Sequence, residues 1–186
     1  MSMDDIRDLR IGFAHGGAIG KMPDVIEIMK DFNFYVPIAP DDVAASLDQV
    51  RRYGPEGLEF LAPAKTLLEA GVNVVGEHGG DYQPGLYFNA FDLFVNRRVR
   101  TSDTPIEEAM IVMPDEAVSR ATAMRLYTSR AAEWLFAEDL AGSLEPGKWA
   151  DFILVDRDPT QVDPQSLART QVLETWVAGR KAWWRE

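Results

Sequence analysis

Two histidines and a few neighbouring acids are the groups through which this sequence is equipped to do chemistry. His78 lies in the stretch VNVVGEHGGDYQPGLYFNAFD (residues 72–92), where the β-branched run Val72, Val74 and Val75 breaks into Gly76, Glu77, His78, Gly79, Gly80 and Asp81. That pattern reads as a buried strand delivering polar groups into a glycine-rich loop. His15 has the same setting: it follows Ile11, Gly12, Phe13 and Ala14 and precedes Gly16 and Gly17. Two strands of similar design thus deliver one imidazole each, and in parallel α/β architectures functional groups gather at the carboxyl ends of strands. The plainer readings are a turn histidine satisfied by a backbone carbonyl for His15, a polar loop residue for His78 and a loop-capping carboxylate for Asp81.

The elements that must position these groups follow from periodicity. A strand from Leu9 to His15 leads to a helix opened by Pro23 and Asp24, with Val25, Ile26, Ile28 and Met29 as its apolar face. Asn33–Ile38 is β-rich, and Pro37 suggests that the strand ends there. Pro40–Tyr53 reads as a polar helix or lid. Leu58–Ala70 is a second helix closed by Gly71, and the Val72 strand follows. Strand, helix, strand, helix, strand is the order of a parallel sheet with crossover helices. Leu86–Val99 reads as a buried helix whose basic end suits the macrodipole. Thr101–Met113 is of mixed character. Pro114, Asp115 and Glu116 open a long helix with a narrow stripe at Ala117, Ala121, Met124, Thr128, Ala131 and Leu135.

From Gly142 the character changes to short antiparallel-type strands, Phe152–Val155, Val172–Val177 and Lys181–Trp184, the last two joined across Ala178 and Gly179. A boundary near residue 141 separates an α/β body (1–141) from a β appendage (142–186). Tyr82, Tyr87, Phe88, Phe91 and Phe94 form an aromatic set, read as core packing ahead of a pocket for an apolar substrate.

Composition narrows the classes. The 186 residues, 46% hydrophobic and 26% charged, suit a soluble globular protein with one well-buried domain. A net charge of -11 argues against nucleic acid and anionic membrane surfaces as partners. With no cysteine, disulfides, thiolate zinc sites and cysteine nucleophiles are excluded. The charged N-terminus lacks an apolar signal core, so a cytoplasmic location is expected. Gly76–Gly80 lacks the lysine and spacing of a phosphate loop, and Ser119, Ser129 and Ser143 lack a glycine-flanked nucleophile context.

The tail GSLEPGKWADFILVDRDP followed by VLETWVAGRKAW resembles the C-terminal signature of the amidohydrolase superfamily, in particular its YtcJ-like branch. IGFAH, FYVPIAP, PAKTLLEAGV and VNVVG agree in order, and RLYTSRAAEWLF resembles the family helix that follows the barrel. The likeness spans about residues 9–184. It implies the C-terminal part of a (β/α)8 metal-dependent hydrolase barrel followed by a small β-sandwich appendage. It also implies one or two divalent metals, usually zinc, and hydrolysis of an amide or related C–N bond by metal-activated water. By motif, His15 matches the sixth-strand histidine ligand. The eighth-strand motif, normally glycine, serine, aspartate, reads here Gly76, Glu77, His78. Either His78 takes the place of the aspartate as a ligand, or Asp81 reaches the site from the loop as the catalytic base, or the site is dead.

Two histidines fall short of the roughly four imidazoles such a site uses, and the first-strand histidine pair is missing. The sandwich strands that the family takes from its N-terminus are missing too, which leaves Phe152–Val155 and Val172–Val177 as expected unpaired edges. A second chain supplying the N-terminal barrel half, or self-association, is therefore expected to complete the sheet and site. The isolated chain is then expected to be inactive. The alternative is a noncatalytic, truncated amidohydrolase-like protein acting in oligomer or partner binding.

Overall fold

The computed structural model describes residues 2–12, 21–39, 54, 62–78, 87–99 and 108–186. The first element is a helix, α1 (Met3–Asp8), where the sequence suggested only a charged lead-in. A reciprocal cap makes it: the Ser2 hydroxyl accepts from the Asp5 N–H at 3.1 Å while Asp5 accepts from the Ser2 N–H at 2.6 Å. The expected Leu9–His15 strand is correspondingly shorter on its N-terminal side. Residues 9 and 10 form a turn, with Arg10 at φ 46°, Gly12 bridges in parallel to Tyr35, and residues 13–15 lie outside the described residues.

Helix α2 (Pro23–Asp31) buries Ile26 and Met29 and leaves Ile28 exposed. Strand β1 (Tyr35–Ile38), helix α3 (Ala64–Glu69) and strand β2 (Asn73–Gly76) follow, and β1 and β2 pair in parallel from Tyr35↔Asn73 to Ile38↔Gly76. Gly71, at φ 87°, ends α3 in the left-handed region that an L side chain resists. The expected Pro40–Tyr53 segment lies outside the described residues, as does the first half of the expected Leu58–Ala70 helix.

Side chains alternate across a strand. Val36, Ile38 and Val74 therefore share a face, and all three sit in the main core with Leu67, Leu93, Phe94 and Leu126. Tyr35 and Val75 take the other face and are also buried. The sheet is covered on both sides, as parallel sheets are.

Helix α4 (Tyr87–Asn96) ends before the expected basic cluster, and β3 (Arg98–Val99) pairs antiparallel with β4 (Met110–Ile111). Arg97 is no solvent-facing helix terminus: it is fully buried at φ 54°, its guanidinium donating to the carbonyls of Val112 (3.2 Å) and Ala62 (3.1 Å). Burial pushes its pKa down to about 10, against the opposing influence of the Glu116 charge. Phe88, Phe91 and Phe94 are core, as expected of the aromatic set, whereas Tyr82 lies outside the described residues.

The expected long helix from Pro114 is three pieces. A 3-10 turn (Pro114–Glu116) gives way to extended Ala117, then come α5 (Arg120–Tyr127) and α6 (Ser129–Trp134). The Glu116 carboxylate is drawn inward by the Lys21 ammonium (2.7 Å) and by the Thr66 N–H (2.9 Å) and hydroxyl, which ends the first turn. Ser119 then restarts the helix by accepting from the Thr122 N–H at 3.1 Å. At Thr128 (φ -122°, ψ -93°) the axis breaks again, and its hydroxyl donates back to the Met124 carbonyl at 2.8 Å. The buried positions are Ala123, Leu126 and Ala132, while Ala121 and Leu135 of the expected stripe are exposed.

The C-terminal strands β5 (Phe152–Val155), β6 (Val172–Val177) and β7 (Arg180–Trp184) form an antiparallel sheet in the order β5-β6-β7. Ala178 (φ 48°) and Gly179 (φ 73°) make the two-residue turn between β6 and β7, the left-handed pair that matches strand twist. The expectation of an unpaired Val172–Val177 is corrected: β6 is the central strand, and β5 and β7 are the edges. A 3-10 helix (Pro164–Arg169) buries Leu167 in the main core, so the C-terminal segment shares packing with the α/β part. No helix among the described residues is long and apolar enough to cross a membrane.

Candidate active site at the carboxyl ends of the parallel strands

Three parallel backbone segments lie side by side: the chain at Gly12, then β1, then β2. Tyr35 donates its N–H to the Ile11 carbonyl at 2.8 Å, and past the end of β2 Glu77 donates its N–H to the Ile38 carbonyl at 2.9 Å. Because β1 and β2 are paired without a register shift, their carboxyl ends, Ile38 and Gly76, are level. Whatever follows each strand therefore emerges at one edge. With neighbouring strands about 4.8 Å apart, the Gly12 and β2 segments are separated by roughly 10 Å.

Glu77 and His78 are the first residues past β2, and both are half-buried. The Glu77 peptide is fixed at both its polar groups: its N–H is held by Ile38, and its carbonyl accepts from the Tyr127 hydroxyl at 3.3 Å. His78 thus leaves the sheet from a pinned position. An imidazole there is suited to ligation or to proton transfer.

Two aromatic side chains brace these segments, Tyr127 at the carboxyl end of β2 and Trp134 at Gly12, level with the start of β1, and sequence reasoning did not single them out. The Tyr127 ring, at the end of α5, lies where a Cβ on Gly76 would come within 2.7 Å of it. The same ring meets Phe94 edge-on at a centroid distance of 5.7 Å. Trp134, at the end of α6, lies where a Cβ on Gly12 would come within 2.6 Å. It stacks on Tyr35 at 6.4 Å and donates its indole N–H to the Arg10 carbonyl at 3.1 Å. Gly12 and Gly76 are glycine because a ring occupies the space of their side chains. A glycine inside each strand was the available signal.

Arg10 anchors the Gly12 segment to the turn after α6. It pairs with both carboxylate oxygens of Glu138, donates to the Glu133 carbonyl and lies 4.3 Å over the Phe136 ring. Its guanidinium holds the Glu138 carboxyl down at about 2. Tyr35 has its phenol pushed up, first by burial and then by the neighbouring Glu133 carboxylate.

Of the three residues singled out in the sequence, the structure locates His78 at the strand ends; His15 and Asp81 lie outside the described residues. Among the described residues no three histidine, aspartate or glutamate side chains stand close enough together to hold a metal ion. The described residues therefore do not make a metal site by themselves.

Known proteins resemble the chain in the same sense. A family profile described as "Amidohydrolase family" matches residues 4–182. The N-substituted formamide deformylase of Arthrobacter pascens is 34% identical over 120 residues, covering 64% of this chain and 21% of that protein. The 5-methylthioadenosine/S-adenosylhomocysteine deaminase of Teredinibacter turnerae is 29% identical over 129 residues, 64% of this chain and 27% of that protein. The crystal structure of a metal-dependent hydrolase from Pyrococcus furiosus superposes with a TM-score of 0.59 at 27% identity, over 75% of this chain and 27% of the other. The matched stretch thus spans only about a fifth to just over a quarter of the length of these three relatives.

Proposed function

The chain belongs to the amidohydrolase family, and on that premise we propose that it forms the carboxyl-terminal part of a metal-dependent hydrolase that cleaves an amide or related C–N bond. The single observation that carries this reading is the level, parallel pairing of β1 and β2 beside Gly12, which puts His78 just past the carboxyl end of a parallel sheet. The names of a deformylase and a deaminase among its relatives favour C–N chemistry, and the hydrolase from Pyrococcus furiosus favours metal dependence.

In this reading residues 1–141 are a partial barrel carrying the site and residues 142–186 contribute strands to a β-sandwich. His15 and His78 are offered as ligands for a divalent metal, by family analogy zinc, and Asp81 as the base. The remaining ligands come from outside this sequence: a second chain, a second copy, or the rest of a longer polypeptide. The chain's own part is positional. Tyr127 fixes the end of β2, Trp134 braces the Gly12 segment beside the start of β1, and Glu77 is held at both peptide groups, so that His78 is presented without further ordering.

Reconstitution tests it. His78→Ala and Asp81→Ala in the completed assembly are expected to lower turnover by at least about 100-fold, the scale of a lost general base or ligand, with assembly unchanged. Unaltered turnover in both variants would remove the catalytic reading. A noncatalytic binding role is the second reading, favoured by the exposed C-terminal sheet, and it predicts association without turnover.

A further inference from the structure

The cleft between α3 and α5 lies on the outer layer of helices and has no part in the reading above. It is an open cleft of about 410 Å3, within the size range of small-molecule sites. Its charged lining is Lys65 on α3, Arg125 on α5, Arg130 on α6 and one acid, Glu69. Three cations to one carboxylate inverts the balance of the chain, which has 19 basic and 30 acidic residues.

Among the described residues Lys65 has no hydrogen-bond or ion-pair partner, and Arg125 has only the Thr122 hydroxyl, at 3.3 Å. Arg130 pairs with Glu133 through one nitrogen at 3.0 Å, which leaves other donors of its fork for a second oxyanion. At the mouth, the hydroxyls of Ser119 and Thr122 share one hydrogen bond of 2.9 Å. Only one of the two protons is used in that bond, so the other is available to a ligand. Leu68, Val118 and Leu126 supply the larger apolar side chains of the lining.

We propose that this cleft binds a small organic oxyanion, a phosphate monoester or a carboxylate carried on an apolar body. Lys65 supplies a point charge and Arg125 a planar fork, the pair of geometries that oxyanions use. The apolar lining takes the body, and the Glu69 carboxylate opposes the bound negative charge.

Calorimetric titration of the 186-residue chain with phenyl phosphate, benzoate and inorganic phosphate tests the assignment. Saturable binding of phenyl phosphate or benzoate is expected, each stronger than inorganic phosphate. Lys65→Gln and Arg125→Gln are each expected to weaken it about tenfold, the scale of one charge-assisted contact. Both side chains are exposed, and a thermal melt matching the parent protein confirms that the variants fold. Glu69→Gln should tighten binding, and raising the salt should weaken it. The tighter of phenyl phosphate and benzoate identifies the oxyanion. Absence of saturable binding by the parent protein overturns the proposal, as does binding that neither cation substitution changes.

Discussion

The two sheets of this protein are built from similar apolar strands and end in opposite environments. In the parallel sheet Val36, Ile38 and Val74 are completely buried, and helices or aromatic rings cover both faces. In the C-terminal sheet Ile153, Leu154, Val177, Trp183 and Trp184 are all exposed, with Trp184 at 57%. Only its rim, Val155 and Val172, packs against the common core. The parallel sheet is therefore where this chain stores its stability. The antiparallel sheet holds its shape through hairpin pairing and the Phe152–Trp176 stack, and among the described residues its two edges are unpaired.

The contrast breaks most visibly at Phe94. It is fully buried and supports Tyr127, so Phe94→Ala is expected to cost about 3–5 kcal/mol in urea unfolding. Arg97→Ala leaves the Val112 and Ala62 carbonyls without their donor and opens a cavity, an expected loss of about 3 kcal/mol by the same measurement. Gly76→Ala forces the Tyr127 ring to move and should cost about 1–3 kcal/mol. If Gly76→Ala is neutral, the parallel strand ends are looser than described.

Acid provides a gentler probe of the same body. Burial pushes the Glu116 carboxyl up, but hydrogen bonds from Lys21 and Thr66 outweigh it and hold the group below its ordinary 4.5. A depressed folded-state value contributes stability above the ordinary value, and that contribution is lost as pH falls through the folded value. Thermal melts of the parent protein should therefore lose stability below about pH 4.5, and Glu116→Gln should be less stable at neutral pH and show a shallower acid limb. The smallest effect is expected in the other sheet: Trp184→Ser should change stability by no more than about 0.5 kcal/mol while raising solubility. A large loss there would mean that the exposed sheet is as essential to the monomer as the buried one.

Much of this architecture was legible in the residues because local pattern and environment agree. β1 and β2 are short β-rich runs bounded by turn residues, and the Ala178–Gly179 turn predicts its hairpin. What was hidden depends on distant partners. Arg97 reads as a helix-terminal charge until Ala62 and Val112 supply buried acceptors. The helix from Pro114 breaks because Lys21 and Thr66 capture Glu116 and because Thr128 bonds back to its own helix. The central position of β6 depends on which strands pair, a property that alternation alone does not encode. At the candidate site, the strand-end location of His78 was readable; the need for Tyr127 and Trp134 was written only in Gly12 and Gly76.

The central claim is that this chain carries one side of a hydrolytic site and requires groups from outside its sequence to hold metal. Native mass spectrometry of the purified chain in the presence of zinc, alone and as isolated from its source, tests it most directly. The account predicts an assembly, either with a second polypeptide or with further copies, that retains one or two metal ions per site. A metal-free monomer under both conditions, with no longer polypeptide carrying this sequence in the source, would contradict it.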